Sequence, residues 1–230
     1  MASNPQQLTV NIGEFGPVTA LLYPAAKQKQ LNTTLILGHG AGANQLSAFM
    51  RLFGAGLAAR GFDVMTFNFL YSENKKGAPD PKAKLELCYE SVISAARQQR
   101  KLKDNRLVIG GKSMGGRIAS QVAAASAHDL AGLVFLGYPL HPPGRPEQLR
   151  DAHLKDVRAP MLFVQGSRDS FGTPDELQKI IKRDKLPAML FEIETGDHSF
   201  KVLKSMKLTQ DEVHETIMDQ IAKWVSAGPK

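Results

Sequence analysis

Short apolar runs alternate with longer amphipathic stretches along most of this chain. Six runs are mostly apolar and bounded by glycine or polar residues, which is typical of strands buried on both faces of a parallel sheet. These runs cover residues 34–37, 62–67, 107–109, 132–137, 161–164 and 188–193. Segments 7–11 and 17–23 flank the turn Gly13-Glu14-Phe15-Gly16 and predict an antiparallel pair. The alternation predicts an α/β fold with a mostly parallel sheet of about eight strands and helices on both faces.

The stretches between these strands carry the spacing and the end signals of helices. Residues 46–60 place apolar side chains at helical spacing. Asp80 followed by Pro81 predicts an N-cap and a first helical residue for a helix that ends near Arg100. Its inward positions include Cys88, which we expect in the core. Capping boxes predict the starts of two later helices: Thr173 with Glu176, and Thr209 with Glu212.

Length and composition favour one soluble domain. The chain has 230 residues, of which 43% are hydrophobic and 22% charged. No window approaches the roughly 18 apolar residues of a membrane span, and the first residues lack the pattern of a signal peptide. The single cysteine cannot form an internal disulfide. We therefore expect one domain over residues 1–230, flexible over 1–6, in the cytoplasm and without a membrane partner.

The net charge of +7 raises the question of nucleic-acid binding. Basic residues do cluster within 97–106 and 179–185. Both clusters lie at the predicted C-terminal ends of helices, where the helix dipole favours cations. Neither cluster is interleaved with aromatic residues that could stack on bases. Nucleic-acid binding is therefore not expected as the main function.

Residues 106–117 read RLVIGGKSMGGR and are the most informative stretch of the chain. An apolar strand leads into Gly111-Lys112-Ser113-Met114-Gly115, a G-x-S-x-G pattern, and an alanine-rich helix follows. The glycines permit a sharp strand-to-helix turn that holds the serine hydroxyl above the sheet. A pentapeptide this short also arises by chance, but this strand-turn-helix context is the one that a nucleophile elbow requires. Ser113 is therefore the candidate nucleophile.

Three further residues with useful chemistry also follow predicted strands. His39 opens the small-residue loop HGAG, Asp169 lies in GSRD, and His198 lies in GDHSF. Carboxyl ends of parallel strands meet at one edge of a sheet, so we expect these residues to gather there with Ser113. A plain glycine turn remains the alternative interpretation of HGAG. Ser113, Asp169 and His198 follow the chain order Ser, Asp, His that is found on one scaffold.

With GKSMGGR, HGAG and GDHSF placed, the chain resembles the α/β-hydrolase superfamily over nearly its whole length. It is most similar to the small, lidless, dienelactone-hydrolase-like members and to an intracellular group that includes relatives of a subunit of the NSL histone-acetyltransferase complex. The resemblance implies a serine hydrolase that cleaves short-chain carboxylic esters or thioesters. The superfamily also contains non-catalytic binding or scaffold proteins, which leaves a protein partner as the alternative. An intact Ser, Asp and His favour the enzyme.

The resemblance also implies a role for each residue. Ser113 would be the nucleophile, His198 its general base and Asp169 the carboxylate that orients the imidazole. Backbone N–H groups of Met114 and Ala41 would form the oxyanion hole, with Gly42 as the alternative second donor. No cofactor is implied, and no metal, because no two histidines or cysteines show ligand spacing.

Other polar residues are weaker candidates for this site. Asp197 adjoins the histidine, but consecutive side chains rarely face each other, and Asp175 belongs to a helix start. His141 and His214 are expected at the surface. Lys112 is expected to point into solvent, although a cation there could favour the oxyanion or an acidic substrate.

The substrate site is expected to be an open cleft. Only residues 138–159 separate the sixth and seventh core strands, where larger relatives insert a lid. The predicted substrate-binding residues are Gly42, Lys112, Tyr138 and Phe200. We expect the walls of the cleft to come from the HGAG loop, from loop 138–144, which its prolines stiffen, and from Phe200 beside the histidine. Arg168, with Lys112, suggests tolerance of an anionic substrate.

Overall fold

Eight strands form one sheet in the computed structural model, which describes residues 4–228. The spatial order is β1-β2-β4-β3-β5-β6-β7-β8, antiparallel at β1-β2 and β2-β4 and parallel elsewhere. The strands are β1 (Gln6–Asn11), β2 (Pro17–Tyr23), β3 (Thr33–Gly38), β4 (Asp63–Phe67), β5 (Arg106–Lys112), β6 (Gly132–Leu136), β7 (Met161–Gly166) and β8 (Ala188–Ile193). The predicted α/β class and the strand count are confirmed.

Helices cover both faces of this sheet. They are α1 (Ala48–Ala59), α2 (Leu70–Glu73), α3 (Lys82–Gln98), α4 (Met114–Ala125), α5 (Pro174–Arg183) and α6 (Gln210–Ala227). Helices α3, α4 and α5 pack on one face, against side chains such as Ile36, while α1 and α6 pack on the other, against side chains such as Leu35 and Leu37. Neighbouring residues of β3 therefore serve opposite cores, as the two-residue period of a strand requires. No helix within residues 4–228 is both long and apolar enough to cross a membrane.

Most predicted element ends are close to the observed ones, and both capping boxes are confirmed. Helix α1 begins later than predicted because the Ser47 hydroxyl caps it by accepting the N–H of Met50. The cap of α3 is Pro81 rather than Asp80, whose carboxylate lies 3.6 Å from Lys84 Nζ. Helix α2 was not predicted, since a four-residue helix is too short for a periodic signal.

Two smaller expectations concern the first residues and the cysteine. Residues 1–3 lie outside the described part of the chain, and Gln6 already pairs with Leu22 in the sheet. Cys88 is fully buried, which confirms its place in the core, and burial raises the pKa of its thiol to about 12. Its thiol is therefore protonated at neutral pH and a poor nucleophile.

Tyr89 ties α3 to the strand that precedes the elbow. Its hydroxyl lies 2.7 Å from the carbonyl oxygen of Gly110 and accepts the N–H of the same residue at 3.0 Å. Ile36 presents its carbonyl oxygen to the same hydroxyl at 2.9 Å. Since the ring is fully buried, these contacts anchor the end of β5, from which the candidate nucleophile projects.

Candidate active site

Ser113 occupies the turn between β5 and α4 with φ 50° and ψ −115°, a backbone conformation that L-residues rarely adopt. Such a conformation costs on the order of 1–3 kcal/mol, so the surroundings must enforce it. A Cβ on Gly111 would lie 2.2 Å from the carbonyl oxygen of Gly38, and one on Gly115 would lie 2.1 Å from the same atom. Both motif glycines are therefore needed because β3 passes directly against the turn.

Ser113, His198 and Asp169 form one continuous hydrogen-bonded chain. The His198 Nε2 lies 2.9 Å from Ser113 Oγ, within the expected range of about 2.6–3.5 Å. On the other side of the ring, Nδ1 lies 2.8 Å from Asp169 Oδ2. A carboxylate only accepts, so Nδ1 carries the proton and Nε2 is left to accept the serine hydroxyl. This is the tautomer that a general base requires.

The Asp169 carboxylate is almost fully buried and is held on both oxygens. Its Oδ1 accepts the N–H of Phe171 at 2.8 Å, and its Oδ2 accepts from Gln165 Nε2 at 2.9 Å as well as from His198. Gln165 also accepts the N–H of Tyr138 at 2.8 Å and so links the loops after β6 and β7. Sequence reasoning missed Gln165 because it lies inside an apolar strand and belongs to no motif.

Asp197, the competing acid, does not face the imidazole. Its Oδ1 accepts the backbone N–H groups of Ser199 and Lys201, at 2.8 and 2.9 Å. Asp197 therefore shapes the turn that carries His198, while the carboxylate beside the ring comes from Asp169. Asp175 lies in the first turn of α5, as expected.

Lys112 supports the histidine loop and does not point into solvent. Its Nζ donates to the carbonyl oxygen of His198 at 2.6 Å and lies 5.5 Å from the centre of the Phe200 ring. Burial lowers the pKa of Lys112 to about 8, against the opposing charges of Asp169 and Asp197. Phe200 is fully buried in the α1–α6 core and is not an exposed wall of the cleft, because it faces inward beneath this lysine.

The loop 39–42 brings backbone N–H groups beside the nucleophile. A Cβ on Gly40 would lie 3.6 Å from Ser113 Cβ, so the loop passes at van der Waals distance. Ala41 and Met114 both line the cleft, and neither N–H has a hydrogen-bond acceptor among residues 4–228. Gly42 is exposed, has φ 72° and does not line the cleft. The geometry thus favours Ala41 over Gly42 as a donor to an oxyanion.

His39 follows β3 at the same edge of the sheet as Ser113, as expected, but its ring turns beneath the loop and does not face the cleft. It is fully buried, with Nδ1 2.8 Å from the carbonyl oxygen of Gly40 and Nε2 accepting the N–H of Phe69 at 3.2 Å. Burial lowers the pKa of its imidazole to about 4. A neutral ring is needed here, since protonated Nε2 could not accept the Phe69 N–H. His39 therefore holds the HGAG loop in place.

A cleft of about 660 Å³ opens above Ser113 and His198. Its apolar walls include Phe49, Met50, Pro139 and Phe171, and the Phe171 ring lies 4.2 Å from the His198 ring. Tyr138, a predicted wall, is fully buried, and its hydroxyl donates to the carbonyl oxygen of Arg150 at 2.8 Å. Of the predicted loop 138–144, Pro139 lines the cleft instead.

Three other residues also differ from expectation. His141 is buried, with Nδ1 2.9 Å from the carbonyl oxygen of Pro142. His214 is half-buried edge-on against Phe49 and Phe53, and burial lowers the pKa of its imidazole. Arg168 donates from Nε to the carbonyl oxygen of Thr195 at 2.8 Å and does not line the cleft. Each was misjudged because loop and helix positions alone do not define side-chain direction.

A second cavity, of about 670 Å³, lies at the far end of α4 and is lined by His128, Lys155 and Arg158. It is slightly larger than the cleft above Ser113, but Ser113, Asp169 and His198 all lie elsewhere. The larger cavity is therefore not the one that contains the reactive side chains. We take the cleft above Ser113 as the candidate active site because it contains the hydrogen-bonded serine and histidine.

Solved structures with this fold cover nearly the whole chain. An α/β serine hydrolase homologue from Coxiella burnetii has a TM-score of 0.73 at 14% identity and covers 99% of this chain and 98% of its own. An α/β serine hydrolase without a lid from Xanthomonas campestris has a TM-score of 0.71 at 18% identity and covers 99% of this chain and 94% of its own. A dienelactone hydrolase from Anabaena variabilis has a TM-score of 0.71 at 16% identity and covers 99% of this chain and all of its own (100%). At such identities the likeness shows the fold alone.

Comparison with curated sequences gives a shorter match. The quorum-quenching protein AidA of Acinetobacter baumannii is 32% identical over 102 residues, which are 41% of this chain and 31% of AidA. The match thus covers under a third of AidA. A family model described as an alpha/beta hydrolase domain matches residues 31–226, most of the chain. This match confirms the resemblance to the α/β-hydrolase superfamily that the sequence motifs indicate. The chain belongs to the α/β-hydrolase family.

Proposed function

We propose that this chain is a serine hydrolase that cleaves short-chain carboxylic esters or thioesters through Ser113, His198 and Asp169. The observation that carries the proposal is the chain of hydrogen bonds from Asp169 through His198 to the hydroxyl of Ser113, at 2.8 and 2.9 Å, with the serine facing a cleft. A serine hydroxyl becomes a strong nucleophile only when a base takes its proton, and this arrangement supplies one.

Acylation begins with attack of Ser113 Oγ on the carbonyl carbon of the ester. The serine proton passes to His198 Nε2, and a tetrahedral intermediate with a negative oxygen forms. The N–H groups of Met114 and Ala41 then donate to that oxygen; one such donor typically contributes on the order of 3 kcal/mol in the transition state. When the intermediate collapses, His198 returns the proton to the departing alcohol or thiol, and the acyl group remains on Ser113.

Deacylation repeats these steps with water as the nucleophile. His198 takes a proton from water, the hydroxide adds to the acyl carbonyl, and the second tetrahedral intermediate again places its oxygen between the two N–H groups. Its collapse releases the carboxylic acid and returns the proton to Ser113. Asp169 stays ionised throughout and stabilises the imidazolium that forms twice in the cycle.

Labelling with a fluorophosphonate probe tests the nucleophile directly. We expect the wild-type protein to form a stoichiometric adduct on Ser113, located by peptide mass spectrometry, and Ser113→Ala to form none. Asp169→Asn keeps the shape of the side chain but disturbs the histidine tautomer, so kcat should fall by about 10⁴-fold. Asp197→Asn is the matched control, because Asp197 does not contact the ring and should retain most of the turnover.

The opposite outcome is equally clear. Folded wild-type protein that neither reacts with the probe nor hydrolyses 4-nitrophenyl acetate would overturn the proposal. Such a result, together with a stoichiometric protein partner on purification, would favour a non-catalytic binding protein instead.

A further inference from the structure

Two arginines in the cleft have no acidic partner in the part of the chain that the structure describes. Arg117, on the first turns of α4, and Arg150, in the loop between β6 and β7, both line the cleft above Ser113. Among residues 4–228, no carboxylate oxygen lies within ion-pair distance of either guanidinium. Like charges held close together without a counter-ion are unfavourable unless a ligand supplies the opposite charge.

Arg117 is the more confined of the two. Its side chain is half-buried, and its Nε is shielded from solvent without a hydrogen-bond partner in the described structure. Both guanidinium groups face the same cleft. Burial lowers the pKa of Arg117, and the charge of Arg150 lowers it further, while the charge of Glu86 acts in the opposite direction. A shielded donor without a partner carries a desolvation cost that an acceptor from a ligand would remove.

The other charged groups of the cleft are already paired. Lys112 donates to the His198 carbonyl oxygen, and Lys82 lies 3.4 Å from Glu86. Asp80, the acid that lines the cleft, lies 3.6 Å from Lys84 through Oδ1, and its Oδ2 is shielded without a hydrogen-bond partner in the described structure. Arg168 lies outside the cleft. An anionic substrate would thus meet Arg117 and Arg150, and not the residues Arg168 and Lys112 that the sequence suggests.

We propose that Arg117 and Arg150 form a subsite for an oxyanion group of the substrate, so that the preferred substrates are esters or thioesters carrying a second, negatively charged group such as a carboxylate. This inference rests on the proposed serine hydrolase activity and names its substrate class. A guanidinium binds a carboxylate through two parallel N–H groups, and two guanidinium groups can share one anion.

The position of Arg117 limits how far this anion lies from the reacting carbonyl. Arg117 follows Ser113 by one helical turn, and its N–H donates to the Ser113 carbonyl oxygen at 3.1 Å. One turn of helix rises about 5.4 Å, comparable to a chain of a few methylene groups. The favoured acyl group is therefore short and ends in a carboxylate.

Two chromogenic esters of equal acyl length provide the test: 4-nitrophenyl hydrogen adipate, which is anionic, and 4-nitrophenyl hexanoate, which is neutral. For the wild-type protein, with spontaneous hydrolysis subtracted, we expect kcat/KM to be at least about tenfold higher for the adipate ester. Arg150→Gln and Arg117→Gln should each lower kcat/KM for the adipate ester much more than for the hexanoate ester, and so remove most of this preference. High salt should also reduce the preference, because screening weakens attraction between charges.

Further variants separate the subsite from general charge and from misfolding. Arg150→Glu should bring the adipate-to-hexanoate ratio below that of Arg150→Gln, and Arg150→Lys should restore part of the preference. Arg145→Gln changes an exposed arginine of the same loop and should leave both rates unchanged. Hexanoate turnover shows in each case that the variant is folded.

The outcomes distinguish the two proposals. If wild-type protein hydrolyses hexanoate without preferring adipate, the subsite is wrong and the serine hydrolase stands. If neither ester is hydrolysed, the proposed function fails, and titration calorimetry with adipate on Ser113→Ala decides the subsite. Binding that Arg150→Gln abolishes would support the subsite, and absence of binding would overturn it.

Discussion

Lys112 Nζ donates a 2.6 Å hydrogen bond to the backbone carbonyl oxygen of His198, 86 residues later in the chain. The first variable residue of the elbow thereby holds the loop that carries the imidazole. Ser113 and His198 are thus linked through the histidine backbone as well as through its ring. A small misplacement of a catalytic group can lower the reaction rate by up to about 10²-fold. Lys112 is therefore a positioning residue for His198.

Lys112→Met should lower kcat at pH 7.5 by about tenfold, because the His198 carbonyl loses its donor. It should also change how stability depends on pH. Burial lowers the pKa of Lys112 from 10.5 to about 8. Between these values the unfolded chain binds the proton and the folded chain does not, so the free energy of unfolding rises with pH in this window. Relative to Lys112→Met, the wild-type protein should gain on the order of 3 kcal/mol, measured by urea unfolding at pH 7.5 and 10.5.

Lys201→Met is the matched control, because Lys201 is exposed in the same loop. It should match the wild type in both turnover and pH dependence. Parallel stability curves for the wild type and Lys112→Met across this window would contradict the assignment of a buried ammonium.

The residues that sequence reasoning placed well are those whose position follows from backbone topology. Ser113, Asp169 and His198 each follow a strand of one parallel sheet, and parallel strands end at the same edge, so their meeting required no knowledge of side-chain direction. The glycines around Ser113 were recognisable from the G-x-S-x-G pattern, but the contact that requires both of them, the close approach of Gly38, is tertiary.

The residues that were misplaced depend on which way a side chain points from a loop. Tyr138 and Phe200 were expected in the cleft but face inward, because burial of a large ring stabilises a fold more than a place on its surface does. Phe171 lines the cleft instead, with its ring tilted against that of His198, on a loop without any motif. Arg117 and Arg150 belong to different elements and line one cleft only in the folded chain. Tertiary packing alone creates these relationships.

Gly115→Ala should disrupt the elbow, although alanine favours helices. The added Cβ would lie 2.1 Å from the Gly38 carbonyl oxygen and 2.8 Å from that of His39, so β3 or the HGAG loop would have to move. We expect a loss of at least about 2 kcal/mol in the free energy of unfolding, together with loss of turnover, measured by urea unfolding and ester hydrolysis.

Gly77→Ala is the control for this substitution. A Cβ at Gly77 would meet nothing within 4 Å, and its φ is not in the left-handed region. Its stability should stay within about 0.5 kcal/mol of the wild type. A fully active Gly115→Ala protein would show that the approach of β3 does not shape the elbow.

Acid should destabilise the fold through His39. Burial lowers the pKa of this imidazole from 6.5 to about 4, so between these values the unfolded chain takes up a proton that the folded chain does not. The free energy of unfolding should thus fall as pH falls from 6.5 to 4, by on the order of 3 kcal/mol from His39. In His39→Gln this slope should become shallower but not vanish, since burial also lowers the pKa of His153 to about 4.

Urea unfolding at steps of half a pH unit across this range measures how steeply the free energy of unfolding of each protein changes with pH. The slopes, rather than the absolute stabilities, carry the comparison, because glutamine cannot reproduce both hydrogen bonds of the ring. Equal slopes for the wild type and His39→Gln would mean that His39 is not held neutral in the folded protein.

Catalytic efficiency should be higher for esters of short acyl chains than for esters of long ones, the opposite of the preference of a lipase. The cleft is bounded by the HGAG loop, Phe49, Pro139 and Phe171, and within residues 4–228 a short 3₁₀ turn at Leu154–Asp156 is the regular structure between β6 and β7. No element described there closes over the cleft, so the distal methylenes of a long chain remain in water. Each of these forgoes about 0.8 kcal/mol of burial.

For neutral 4-nitrophenyl esters, kcat/KM should therefore be highest for short acyl groups and should not increase as further methylene groups are added. Measurements below the micelle concentration of each ester, from acetyl to palmitoyl, test this directly. Because the predicted limit comes from missing walls and not from charge, Arg150→Gln should leave the order of preference among the neutral esters unchanged. A steady rise in efficiency to palmitoyl, or a jump in rate at a lipid interface, would show that the protein encloses long chains and that the cleft is not open.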